Sequence, residues 1–269
     1  MTDRELAQAI KRVYSEGVPA ALITVLEAAP ELVGAKLLIR FSESGLPELI
    51  GEPLPPLVKC CDQLVEAARG VIQRGTISHL RIAVEGKHDS IHVMIEPVRR
   101  RPELIICGAG HIGQALAPMA CLLDFEVIVI DDRADYASPE LFPDGVRLIA
   151  QPYAEALASL NVTPSTSIVV VTRGHKHDES CLRIVLNTPA HYIGMIGSRK
   201  RVITVFRRLL DEGYSREAIG RVHAPIGLDI GARTPAEIAV AILAEIILNK
   251  YGGTGAPKRQ AVKPELHLR

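Results

Sequence analysis

Residues 104–113 read Leu-Ile-Ile-Cys-Gly-Ala-Gly-His-Ile-Gly, and no other stretch constrains the fold as tightly. An apolar run of strand type ends in Gly108-x-Gly110-x-x-Gly113, and a helical pattern follows at once from Gln114 to Leu123. A second apolar run, Glu126 to Ile130, ends in Asp131. That acid stands about twenty residues past the glycines, where a dinucleotide-type βαβ unit carries it. Gly108 allows a tight turn, Gly110 lets the backbone approach a pyrophosphate, and Gly113 lets helix and strand pack closely. The helix N-terminus offers free N–H groups and a partial positive charge to that anion. The same glycines would also suit a fold that keeps them for packing alone.

From Glu103 onward the strand and helix patterns alternate. Strands are predicted at 103–107, 126–130, 146–149, 167–172 and 191–196, and helices at 112–123, 153–160, 178–187 and 199–212. A last helix opens at Thr234-Pro-Ala-Glu237, a capping box with proline in the first turn, and runs to about Lys250. Such alternation implies a doubly wound, mostly parallel Rossmann-like sheet. The first 96 residues read differently. Helical spacing at Thr2–Tyr14 and 57–73 mixes with strand patterns at 20–26, 36–41, 78–85 and 91–96, so a smaller α+β domain is expected there. Pro97 to Pro102 reads as a linker, 103–252 as the α/β domain, and 253–269 as a flexible tail.

Composition excludes several classes. Lys plus Arg equals Asp plus Glu at 31 each, so no global field recruits nucleic acid. Trp is absent and aromatics are 4%, which argues against a base-stacking platform. No apolar run approaches a membrane span. The N-terminus is charged and lacks a signal-peptide core, and the five cysteines have no zinc spacing, so a reduced, cytoplasmic protein is expected.

In such a sheet, ligands lie beyond the carboxyl ends of the strands, and four polar clusters fall there. In Asp131-Asp-Arg133, Asp131 suits a ribose 2′-OH; the alternative is a solvated turn. Thr172-Arg-Gly-His-Lys-His-Asp178 reads as a ligand-facing loop, with Asp178 capping the next helix, or as a structural turn; two histidines, His175 and His177, are too few for a metal site. Gly197-Ser198-Arg199 at a helix start suits an anion, with Arg199 forking onto a phosphate, unless it is an exposed basic face. Ala224 to Thr234, with Asp229 between two glycines, reads as a shaped loop. Cys107, Cys121 and Cys181 fall in core patterns. Cys60 and Cys61, beside Asp62 near a predicted helix start, are candidate functional thiols.

Taken together, these motifs resemble the XdhC/CoxI family, the accessory factors of xanthine dehydrogenase and related molybdenum hydroxylases. The resemblance rests on Gly-Ala-Gly-His-Ile-Gly (108–113), Asp131-Asp-Arg133, Thr172-Arg-Gly-His175 with Asp178, Tyr192 to Lys200, Ala224 to Gly231 and Thr234 to Ala239, and covers roughly 103–250 in order. The amino-terminal part departs from the family. Leu26 to Glu31 lacks the serines and arginine usual after the first strand, and Cys60-Cys-Asp62 keeps a Cys-x-acid pattern without its glycines. The resemblance implies an accessory protein rather than a free-standing enzyme. It would bind molybdenum cofactor (molybdopterin) and assist its sulfuration or insertion, with a hydroxylase apoenzyme and a cysteine desulfurase as partners. The candidate cofactor-binding residues are Gly108, Gly110, His111, Gly113, Asp131, Arg133, Arg173, His175, Gly197, Ser198, Arg199 and Asp229. A homodimer is expected from the apolar final helix. Two other readings remain on the residues alone. The glycines and Asp131 suit an NAD-dependent oxidoreductase, although no clear proton relay stands near a substrate loop. They also suit a nucleotide-sensing module without chemistry.

Overall fold

The structure, a computed structural model, describes residues 3–42, 44–51, 61–83 and 90–258. The chain divides into two compact units, Met1–Arg100 and Arg101–Arg269.

In the first unit α1 (Asp3–Glu16) precedes β1 (Ala20–Glu27), β2 (Lys36–Phe41) and β3 (Pro47–Ile50). Then come α2 (Cys61–Arg74), β4 (Ser78–Ala83) and β5 (Ser90–Val98). The strands form one antiparallel sheet in the order β3-β2-β1-β5-β4. Side chains alternate across a strand, so β1 serves two cores. Ala21, Ile23 and Val25 pack with Leu64, Ala68 and Val71 of α2. Ala20 and Leu22 pack with Ala9 and Val13 of α1. β3 carries no strand pattern in the sequence. It is four residues long, partly exposed and opened by Pro47 at the sheet edge, where a strand shows little apolar pattern. β5 runs on through Pro97 and Val98, which the sequence pattern assigned to the linker.

The second unit runs β6 (Glu103–Cys107), α3 (His111–Leu122), β7 (Glu126–Asp131), β8 (Arg147–Ala150), α4 (Tyr153–Ser159), β9 (Thr166–Val170) and α5 (His175–Val185). It continues with β10 (Tyr192–Met195), α6 (Arg199–Asp211), α7 (Arg216–Gly220), β11 (Val222–His223) and α8 (Pro235–Tyr251). The six strands are parallel, in the order β11-β10-β9-β6-β7-β8. From the β8 edge this is the 3-2-1-4-5-6 order of a doubly wound Rossmann sheet. The expected fold class is therefore present.

Every residue of β6 and β9 is buried, as central parallel strands covered on both faces must be. Ile105, Ile128, Ile168 and Ile193 face α4, α5 and α6, whose Leu157, Leu182 and Val205 close that layer. Leu104, Ile106, Val129 and Val169 face α3 and α8 through Leu116, Ala120, Ile242 and Ile246. Thr234 and Glu237 form the predicted capping box on α8, which ends at Gly252 in the left-handed region. α7 and β11 were not anticipated. They are five and two residues long, too short for a period to register.

The chain reverses direction of travel across the sheet between β6 and β9, and there the glycine loop lies. Gly108 takes φ +122, and a Cβ on it would meet the Val171 carbonyl oxygen at 2.5 Å. A Cβ on Gly113 would stand 2.1 Å from the Gly108 carbonyl oxygen, so α3 packs on the end of β6 only because residue 113 has no side chain. Gly110 has nothing within 4 Å of the corresponding point. Gly113→Ala is therefore expected to cost about 1–3 kcal/mol by forcing the helix off the strand, the ordinary range for overpacking. Gly110→Ala should change stability far less. Urea unfolding of both variants beside wild type measures the contrast.

Candidate functional site

Outside the carboxyl ends of β6, β7 and β9 lies a cavity of about 290 Å³, lined by Gly108, Gly110, His111, Ile112, Asp131, Arg133, Val171, Arg173 and Pro235. Gly110 is the N-cap of α3 and supplies no side-chain cap, so the first-turn N–H groups of that helix have no side-chain acceptor. These groups and the helix dipole favour an anion. His111, Arg133 and Arg173 add basic side chains to the same wall.

Asp131 is fully buried and faces the glycine loop. Its Oδ2 accepts the Ala109 backbone N–H at 2.9 Å and Arg133 Nη2 at 3.0 Å. Its Oδ1 accepts Arg133 Nε at 2.8 Å and the Arg133 backbone N–H at 3.1 Å. Burial pushes the carboxyl pKa up, but the hydrogen bonds from Arg133 and Ala109 outweigh it and hold the group at about 2. The acid that the sequence suggested for a ribose hydroxyl thus ties the end of β7 to the turn after β6. Arg133 in turn lies over the ring of Tyr136, 3.5 Å from its centroid. Arg173 reaches Asp132 at 3.2 Å and crosses from the β9 loop to the β7 loop.

Behind this wall, burial and then the charges of Asp131 and Asp132 push the Tyr153 hydroxyl pKa up. The ring of Tyr153 meets His177 edge-on at 5.3 Å. Tyr153 carried no motif and was missed, because only the fold brings the start of α4 beside the end of β7.

The remaining candidates fall in different places. Asp178 does not cap α5; Gly174 is the N-cap. Asp178 is instead buried in the first turn, accepting Thr172 Oγ1 at 2.5 Å and pairing with Arg201 of α6. Ser198 caps α6 by accepting the Arg201 N–H at 3.3 Å. Gly197, Ser198, Arg199 and Asp229 do not line the glycine cavity, and Arg199 and Asp229 are exposed. His175 is the first residue of α5, and its side chain lies outside the described residues. Cys60 also lies outside them, while Cys61 opens α2 as a half-buried free thiol. Cys107 and Cys181 are fully buried, as their patterns predicted. Cys121 is only partly so. Among the described residues no group of three His, Cys, Asp or Glu side chains could hold a metal, and no helix is long and apolar enough to cross a membrane.

The 224–234 loop is held from beneath by groups that the sequence did not single out. Glu245 Oε2 accepts both the Tyr192 hydroxyl at 2.5 Å and the Gly227 backbone N–H at 2.8 Å. His223 stacks on Tyr192, with ring centroids 4.6 Å apart. A tyrosine in a strand and a glutamate on a helix give no signal at a distance of 53 residues.

The low pKa of Asp131 makes a pH prediction. An unfolded Asp titrates near ~3.9. The stabilisation from this carboxylate is therefore fully present above that value and is lost as pH falls through about 2. Asp131→Asn should lower stability at pH 6 by on the order of 2 kcal/mol. The gap to wild type should close as pH falls from 4 towards 2, which urea midpoints across that range would read.

Comparison with known proteins places this site in a family. Residues 104–246 match the XdhC Rossmann domain. The uncharacterized protein YqeB of Escherichia coli is 34% identical over 179 residues, 66% of this chain and 33% of that protein. A Bacillus subtilis protein described as a probable subunit of xanthine dehydrogenase is 35% identical over 156 residues, 58% of this chain and 45% of its own length. The molybdenum cofactor insertion chaperone PaoD of Escherichia coli is 24% identical over 143 residues, 53% of this chain and 38% of its own. The matches thus span less than half of each of these relatives. A crystal structure described as a xanthine dehydrogenase from Bacillus halodurans shares the fold with a TM-score of 0.52 at 18% identity, over 97% of this chain and 99% of that one. With its glycine loop, its buried acid and the capping box of its last helix all inside the matched segment, the chain belongs to the XdhC family.

Proposed function

We propose that this protein is an accessory factor in the maturation of molybdenum hydroxylases, and that its glycine cavity holds the phosphate end of molybdenum cofactor. The single observation that carries the binding part is the α3 N-terminus, without a side-chain cap, opening at Gly110 onto a cavity walled by His111, Arg133 and Arg173. The names of two relatives, a molybdenum cofactor insertion chaperone and a component of xanthine dehydrogenase, support the choice of cofactor and client.

The residues fit the group. Molybdopterin and its cytidine dinucleotide form carry a phosphate or pyrophosphate, and the site supplies backbone N–H donors, a helix dipole and the basic side chains of His111, Arg133 and Arg173. A cavity of about 290 Å³ is at the small end for ligand sites, which matches an anchored phosphate end with the remainder of the ligand outside. When bound, the cofactor would supply the dithiolene-held molybdenum to the client. The chain's own part is to hold it through the anion. A nicotinamide dinucleotide is less favoured, because Asp131 already accepts four hydrogen bonds from protein donors. A hydroxylase apoenzyme is the partner in this reading. A cysteine desulfurase would meet the chain at Cys60 or Cys61 if sulfuration takes place on it, and two copies would pair to present the sites.

Protein purified from cells making the cofactor should release a pterin, identified by mass and by the fluorescence of its oxidised product. Gly110→Asp should fold normally and release none, since the carboxylate would occupy the anion's place with like charge. Release of a nicotinamide nucleotide instead, or a pterin content unchanged by the substitution, would overturn the reading. The thiols are tested separately. If Cys60 or Cys61 handles sulfur, the double Cys→Ser variant should keep its pterin yet fail to activate its hydroxylase. Full activation by that variant would remove the cysteines from the mechanism.

A further inference from the structure

A second cavity, of about 480 Å³, shares no lining residue with the first. Lys176 of α5 lines it together with Ser198 and with Lys200, Arg201, Thr204 and Arg208 of α6. Lys200, Thr204 and Arg208 stand four residues apart and so share one face of the helix, with Arg201 beside them. The cations extend about 12 Å along the axis, well beyond a helix terminus. Four of the six lining residues are basic and none is acidic.

Two of these cations are already balanced from behind. Asp178 pairs with Arg201, and Glu179 pairs with Arg208 at 2.6 Å. Both carboxylates are buried, so they fix their arginines in place. Lys176 and Lys200 have no carboxylate within ion-pair distance among the described residues. The Arg201 Nε is buried without a hydrogen-bond partner, although a buried donor left unmade is costly. Ser198 accepts the Arg201 N–H and keeps its own proton to donate. Positioned guanidinium groups, ammonium groups without a carboxylate partner and the Ser198 hydroxyl therefore line one volume, and that volume lies in the range of small-molecule sites.

We propose that this groove between α5 and α6 is a second anion site, which takes the phosphate or pyrophosphate group of a small ligand. It does not depend on what the glycine cavity holds. The segment from Thr172 to Asp178 separates the two, with Arg173 on one cavity and Lys176 on the other. A ligand in the groove would bear on the Asp178–Arg201 pair that joins α5 to α6. An acidic peptide is the competing occupant, but it would favour an open basic face over a cavity of this size.

Inorganic pyrophosphate is the probe, titrated calorimetrically at low ionic strength into the full chain. The Gly110→Asp variant should still bind it, because its damage is confined to the other cavity. In that background Lys176→Glu and Lys200→Glu should each weaken binding tenfold or more. Arg207→Glu makes the same charge change on α6 at an exposed position outside the cavity, and should leave the affinity within twofold. Absence of binding by Gly110→Asp would overturn the second site. Equal weakening by Arg207→Glu and Lys200→Glu would also overturn it, showing a diffuse field. Loss of pterin with pyrophosphate binding intact would leave both proposals standing, whereas pterin retained by Gly110→Asp would overturn only the reading of the glycine cavity.

Discussion

One buried carboxylate sets the geometry on which the glycine cavity depends. Asp131 ends β7, yet its Oδ2 accepts the N–H of Ala109 in the turn after β6. That bond fixes the loop whose next residue, Gly110, opens α3. The charge survives burial because Arg133, two residues on, meets both carboxylate oxygens. A buried ion is costly unless it is paired and hydrogen-bonded, and here both conditions are met. The acid, the arginine and the glycine turn form one unit, and the free helix N-terminus is what that unit presents to the cavity.

The two cavities use positive charge in different ways. At the glycine loop the main donors are backbone groups at a helix start, and the arginines beside them are largely committed to Asp131 and Asp132. Between α5 and α6 the donors are side chains, and buried carboxylates hold only the two arginines. The first arrangement is suited to an anion that approaches the main chain closely. The second suits one reached by long, flexible ammonium groups. The glycine cavity lies at the carboxyl side of the parallel strands, where loops are free to carry polar groups without breaking a sheet, whereas the second runs along the face of α6 from Ser198 to Arg208.

Beneath the sheet's last strand the Tyr192–Glu245–Gly227 contacts do for the 224–234 loop what Asp131 does for the glycine turn. In each case a carboxylate from one element accepts a backbone N–H from a loop far away in sequence. Burial and then Glu245 itself push the Tyr192 hydroxyl pKa up, which keeps it a donor. A shaped loop is thus pinned at its base while Asp229 and Ile230 stay exposed at its tip.

The sequence by itself determined the βαβ unit, the parallel sheet, the roles of Gly108 and Gly113 and the capping of α8. Each of these depends on local spacing: the turn needs φ above zero at Gly108, packing needs a missing Cβ at Gly113, and the cap needs Thr and Glu three residues apart. It also supplied the ordered motifs that place the chain in its family. Only the tertiary structure decided where polar groups point. It turned Asp131 inward, made Asp178 a partner of Arg201 rather than a cap, and left Arg199 exposed while Arg201, two residues later, faces a cavity. On a helix two residues are about 200° apart, so neighbouring basic residues in one motif face opposite surroundings. Which of them meets a ligand depends on the element packed alongside, and α5 comes next to α6 only through the winding of the sheet.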